Sequence, residues 1–242
     1  MHRGHSPRCN IMKKYLLFSL LSSFILAGCS SVKAPNLEQF THSSGGEVAG
    51  DATSLYWMTE RLKRITMVSD SVNMGDFGSY QSDYRWSDGE LRELIRKGEQ
   101  LNAKHGLVPF QIHIRFNKDG DAIYQQYRMD GKVLPLQRDQ LEHYKKKAND
   151  VVELVQKQSR DDQSLIQGYW DGVMFKTCGG RELATLEFKQ NLPKFVMDRL
   201  ASVDSYIAFI GKESRNTATV DELLILNDND FDCVPRPKLI SK

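Results

Sequence analysis

The sequence predicts an α+β fold: an antiparallel β-sheet meander, one long amphipathic helix, then a second group of antiparallel strands. Three observations carry this reading. Apolar and polar residues alternate repeatedly over residues 80–129, the period of half-buried strands. Asp-Gly pairs at 88–89, 119–120 and 130–131 punctuate them and supply the positive φ that tight hairpins need. The spacing then changes to three and four residues over 141–155, which places one apolar stripe on a helix.

Tyr80, Ser82, Tyr84 and Trp86 alternate with polar neighbours up to Ser87-Asp88-Gly89-Glu90, and residues 91–97 return as the second arm of a hairpin. Ile112, Ile114 and Phe116 share one face of the next strand, with His113 and Arg115 on the other. Residues 122–129 follow as its partner. Leu141, Tyr144, Ala148, Val151, Val152 and Val155 form the helical stripe, with Asp139 near the N-terminal partial charge. Strands resume over 166–178, turn at Gly179-Gly180 and continue to Phe188. Pro193 opens a short helical stretch over 194–200, and residues 205–210 and 223–226 read as two further strands. The chain thus divides into an N-terminal β region over 53–137, a helix over 138–162 and a C-terminal β-rich region over 163–242.

A different segment precedes these elements. Lys13 and Lys14 stand before an apolar run, 15–26, broken only by Ser19, Ser22 and Ser23, and the small residues Ala27 and Gly28 follow. That order is the order of a secretory signal. The run is about a dozen residues long, against roughly 20 for a bilayer-spanning helix. Leu26-Ala27-Gly28-Cys29 resembles the bacterial lipobox, in which the cysteine is acylated and becomes the first residue of the mature protein. Residues 1–28 are therefore expected to be a signal peptide, with Met12 as the natural start and 1–11 as an over-extended one. Residues 29–52, small and polar without apolar period, read as a lipidated flexible tether. The resemblance implies a membrane anchor through Cys29. Ser30 is the residue type that accompanies outer-membrane sorting in Gram-negative lipoproteins, which points to the outer membrane, facing the periplasm.

The leader holds Arg3, Arg8, Lys13 and Lys14 and no acid, so losing those four charges turns the formal +2 of the chain into −2 for the remaining 214 residues. A near-neutral body lacks the clustered basic excess of a nucleic-acid binder. With Cys9 gone with the leader and Cys29 acylated, Cys178 and Cys233 are left in an oxidising compartment, where two thiols allow a single disulfide.

Tyr84-Arg85-Trp86 in a hairpin, the central helix, Gly168-Tyr169-Trp170, Thr177-Cys178-Gly179-Gly180-Arg181 and Asp230-Phe231-Asp232-Cys233 together resemble the YjaH-like gammaproteobacterial lipoproteins, a family of unknown function. The resemblance implies an envelope location and a cysteine pair. It implies no catalytic residue.

Motifs with chemistry are weak. Asp228, Asp230 and Asp232 mimic the start of a calcium loop, but position six is Cys233 rather than glycine and position twelve is Leu239 rather than glutamate. An acidic turn is the better reading, and no metal or cofactor is expected. Cysteine nucleophiles need a histidine close in space, and spacing alone places none of His42, His105, His113 or His143 beside Cys178 or Cys233. No Gly-x-Ser-x-Gly elbow occurs, and Gly45-Gly46 and Gly75-Asp76-Phe77-Gly78 lack the P-loop lysine. Aromatics on the strands are the remaining hint: Tyr84, Trp86, Tyr169 and Trp170 are candidates to face a ligand, with core packing as the alternative use. The expected function is that of a non-enzymatic, lipid-anchored envelope lipoprotein that binds an envelope protein, glycan or lipid. The alternative is a periplasmic hydrolase acting on glycan or lipid, which convergent carboxylates, or a histidine beside a hydroxyl, would favour.

Overall fold

A computed structural model describes residues 40–240. The expected signal peptide, Cys29 and the tether up to residue 39 lie outside the described residues.

Eight strands run in chain order through one antiparallel sheet: β1 (Phe40–Ala49), β2 (Ala52–Arg61), β3 (Arg64–Asn73), β4 (Gly78–Ser87), β5 (Glu90–Asn102), β6 (Gly106–Phe116), β7 (Ala122–Met129) and β8 (Lys132–Leu134). Turn chemistry explains several of the hairpins. Asp88 and Gly89 (φ 57° and 85°) and Asp130 and Gly131 (φ 51° and 74°) hold the paired positive φ angles that match strand twist. Helix α1 (Arg138–Arg160) follows, then β9 (Ser164–Trp170), β10 (Phe175–Thr177), β11 (Glu182–Leu183), β12 (Thr185–Phe188), helix α2 (Lys194–Ser202), β13 (Ser205–Ser214) and β14 (Thr217–Asp228). These last six strands form a second sheet in the order β11-β10-β9-β13-β14-β12.

The expected α+β class is overturned. More than half of the described residues are strand, gathered into the two sheets, and among them only α1 and α2 are α-helices. α1 is not a layer dividing two strand groups; it packs on the inner face of the first sheet, giving that face the apolar cover it needs. The second group is not wholly antiparallel either, because β12 runs parallel to Thr217–Val220 of β14. β1 and its turn into β2 occupy the part of the expected tether from residue 40 onward. The residues of β1 carry no alternation that marks a strand, and what makes it one is continuous pairing with β2 from Phe40↔Arg61 to Ala49↔Ala52. The β2–β3 turn is equally silent in sequence: Leu62 and Lys63 take φ of 51° and 63° without a glycine.

Inside the first sheet, Tyr56, Met58, Val68, Leu94, Ile112 and Ile114 meet Ala148, Val151, Val152 and Val155 of α1, with Leu141 and Tyr144 at the margin. The stripe read from the sequence is thus the packed face. The opposite face is solvated: Lys145 pairs with Glu142 and Lys146 with Asp150. Near the far end of α1 the Gln158 amide substitutes for a strand at the sheet edge, accepting from Gly46 N–H at 3.1 Å and donating to Gly46 C=O at 2.8 Å. A Cβ on Gly45 would displace the Gln158 amide from this position. Val155 is fully buried, so Val155→Asp is expected to cost several kcal/mol by placing an unpaired charge in the core. Lys146→Ala should change stability by less than about 0.5 kcal/mol. Equal losses in urea melts would mean that α1 does not dock through this stripe.

Candidate binding site

The four aromatics singled out in the sequence do not meet. Tyr84 is fully buried and Trp86 nearly so, their rings 6.0 Å apart in the core of the first sheet. Tyr84 is thereby a core residue, while Trp86 also lines a hollow beside α1. Tyr169 and Trp170 are half-buried on β9 of the second sheet. The Trp170 indole N–H donates to Leu200 C=O (2.8 Å), and the Tyr169 hydroxyl to Phe231 C=O (3.1 Å). The two flank a shallow hollow of about 430 Å³ with Asp171, Met174, Lys176 and Glu182.

Cys178 and Cys233 form a disulfide, with their Cα atoms 6.1 Å apart. The bond ties the end of β10 to a C-terminal strap, residues 229–240, that joins the two sheets. On the second sheet, Val234 N–H donates to Gln167 Oε1 (3.0 Å), the Gln167 amide N–H donates to Val234 C=O (3.2 Å), and Phe231 lies 4.9 Å from the Tyr206 ring. Pro235 and Pro237 then hold the intervening backbone extended, and Arg236 reaches the first sheet. Its guanidinium donates to Ser69 Oγ (3.2 Å) and Thr59 Oγ1 (2.6 Å). Burial pulls the Arg236 pKa below its ordinary value, with the Asp83 charge opposing. Asp83, itself buried, accepts the N–H groups of Leu239 and Ile240.

Between the strap, β14 and the outer face of β2–β4 lies a cleft of about 400 Å³. Thr53, Ser71, Asn73 and Ser79 give it a hydroxyl and amide wall; Leu55, Leu224, Leu226, Phe231 and Val234 give it an apolar one. The polar wall is set by register, with Thr53 opposite Asn73 and Asn73 opposite Ser79. No charged side chain lines the cleft, although charged residues make up 26% of the chain. Amphipathic lining of this size is the usual form of a ligand site. A hollow of about 470 Å³ beside α1 is lined by Ile65, Trp86, Asn149, Val152 and Gln156 together with Arg64 and the turn residues Lys63, Asp88 and Gly89, so part of its wall is hairpin turn, whereas the walls of the cleft are strands and a disulfide-anchored strap. Rigid walls favour the cleft.

Residues 44–238 match the family described as "Protein of unknown function (DUF1481)". The chain belongs to the DUF1481 family. No curated protein and no solved structure matches it. In this DUF1481 chain the matched span holds the disulfide and every residue that lines the cleft.

The DUF1481 body also buries a charged pair inside the first sheet. Asp70 of β3 and Arg96 of β5 point inward, both buried. The Tyr84 hydroxyl donates to Asp70 Oδ2 (2.7 Å), and Arg96 donates to the Tyr84 oxygen (2.9 Å) and to Ser82 Oγ (2.9 Å). Arg96 also lies over the rings of Tyr80 (4.0 Å) and Tyr144 of α1 (5.2 Å). Burial pushes the Asp70 carboxyl above its usual range against the opposing pull of Arg96 and Tyr84. Burial alone would lower the Arg96 pKa, but Tyr84 and Asp70 outweigh it and the group stays a cation. The signal for this network was present: a charge at an in-phase inward position, Asp70 between Val68 and Val72, and Arg96 next in phase to Leu94.

Two histidines approach partners that bear on hydrolysis. His42 Nδ1 lies 3.1 Å from Thr59 Oγ1, but that oxygen already receives the Arg236 guanidinium. His113 Nε2 lies 2.8 Å from Glu93 Oε1, whose other oxygen pairs with Arg85, and its ring stands 5.0 Å from Tyr124. Among the described residues no serine, threonine or cysteine is hydrogen-bonded to His113. Asp228 of the acidic turn is held by Arg199.

Proposed function

We propose that this chain is a non-enzymatic, lipid-anchored lipoprotein of the Gram-negative envelope that binds another envelope component in the cleft between its sheets. The observation that carries the reading is the cleft itself, amphipathic and walled on one side by a disulfide-anchored strap. A structural disulfide suits an oxidising compartment, and the lipobox-like Leu26-Ala27-Gly28-Cys29 supplies the anchor. An acyl chain on Cys29 confines the body to a surface and raises its effective concentration toward neighbours there. Ser30 favours the outer membrane, with the body facing the periplasm, and the likeness to the YjaH-like lipoproteins points the same way.

Two measurements on the full chain made in a Gram-negative host test this. Cys29→Ala should leave the membrane fraction; if it stays there as the parent does, the anchor is wrong. A photo-crosslinking residue at Asn73 in the cleft should yield an adduct that the same residue at Lys146, on the solvated face of α1, does not. Equal labelling from both positions, or none from Asn73, would end the binding role of the cleft.

A further inference from the structure

β13 pairs with β14 from Thr217 to Asp228, but the second neighbour of β14, β12, covers only Thr217–Val220. Just beyond, Lys189 N–H donates to Val220 C=O, and the Gln190 side chain accepts Leu223 N–H. Past that point no described strand lies on this side of β14. Successive side chains of a strand point to opposite faces, so a hollow that touches four consecutive residues, Leu224, Ile225, Leu226 and Asn227, meets the strand along its edge. The cleft therefore opens onto a main-chain edge that has no strand partner among the described residues.

We infer that this edge is a strand-addition site: an extended, uncharged segment of a partner protein pairs with β14 over 224–227 and fills the cleft. The inference rests on the binding role proposed above and gives the class of ligand. Main-chain hydrogen bonds supply affinity in such complexes, and alternate side chains supply specificity. Here one set of side chains lies on the face of β14 that carries Leu226, and the other faces the first sheet, where Ser71 and Asn73 share a face with Leu55. With no charge in the lining, a charged side chain entering it would lose its water without gaining a counter-ion, so the complementary segment is neutral, alternating Val, Ile or Leu with Ser, Thr or Asn. The strap makes the site possible, since Phe231 and Val234 form one wall and are fixed beside Cys233.

The test uses the full chain and two capped hexapeptides of the sequence Thr-Val-Thr-Val-Thr-Val, one unmodified and one N-methylated at alternate amides. Amide hydrogen exchange across residues 221–228 is the readout. The unmodified peptide should slow exchange there at least tenfold and the methylated one should not. Ser71→Glu and, independently, Asn73→Asp should abolish the slowing while leaving the melting temperature near that of the parent. Equal protection by both peptides, or none by either, would overturn strand addition. Protection by a neutral chitin trisaccharide in place of the peptides would also overturn it and leave the cleft as a glycan site. No protection by any of the three, together with no adduct from Asn73, would overturn both the inference and the binding role.

Discussion

Arg96→Met is expected to lower the unfolding free energy by about 3–5 kcal/mol at neutral pH, because it strands Asp70 in the core without its cation. The pair is held by Tyr84 and Ser82, and Arg96 also bridges the sheet to α1 through Tyr80 and Tyr144. Adding Asp70→Asn to Arg96→Met should recover much of the loss, since the stranded charge is then gone. If the double variant is as unstable in urea as Arg96→Met, the damage comes from lost packing and not from the carboxylate. The pH dependence has a definite sign. The folded pKa of Asp70 is raised by burial, so its favourable contribution is complete below the ordinary carboxylate value near 4. That contribution is lost as pH climbs through the raised value. Relative to Asp70→Asn, the parent should therefore lose stability as pH rises across that window, and Arg96→Met should lose more. A difference that grows in the opposite direction would mean that the carboxylate, not the acid, is the favoured buried form.

Reduction of Cys178–Cys233 should destabilise the body by up to about 4 kcal/mol, the loop-closure entropy of a 55-residue separation. For a chain of this size that is a fall in melting temperature of about 10 °C. The effect should not be uniform. The strap holds the second sheet through Gln167 and Tyr169 and the first through Ser69, Thr59 and Asp83. Amides of Val234, Leu239 and Ile240 should lose exchange protection at lower temperature than those of Ile112 or Ile114. A reduced protein that melts like the oxidised one, with the strap still protected, would show that the side-chain contacts suffice without the bond.

The parts of this structure legible in the sequence were local. Asp88-Gly89 and Asp130-Gly131 marked hairpins because only a few residue types accept two successive positive φ angles. The α1 stripe was legible because 3.6 residues per turn writes its own spacing. β1 was not legible, and β2 and β3 were legible only as part of a β region beginning at residue 53, since their turn at Leu62-Lys63 lacks glycine and β1 lacks alternation. Of the aromatics, Tyr84 carries a pattern that a core strand and a ligand-facing strand share, and burial alone placed it in the core.

The sequence by itself determined the order of most strands after residue 80, the position of α1, and a cysteine count that leaves one pairing, Cys178 with Cys233, among the described residues. Each depends on neighbours along the chain or on composition. The tertiary structure alone decided the mainly β class, the parallel β12–β14 pair, the Asp70–Arg96 network and the cleft. Each of these joins residues tens of positions apart, such as Asn73 with Phe231, Ser69 with Arg236 and Thr185 with Thr217. Such contacts form only when the loop-closing entropy of the chain between them is offset by burial and pairing elsewhere, so no local pattern marks them in advance.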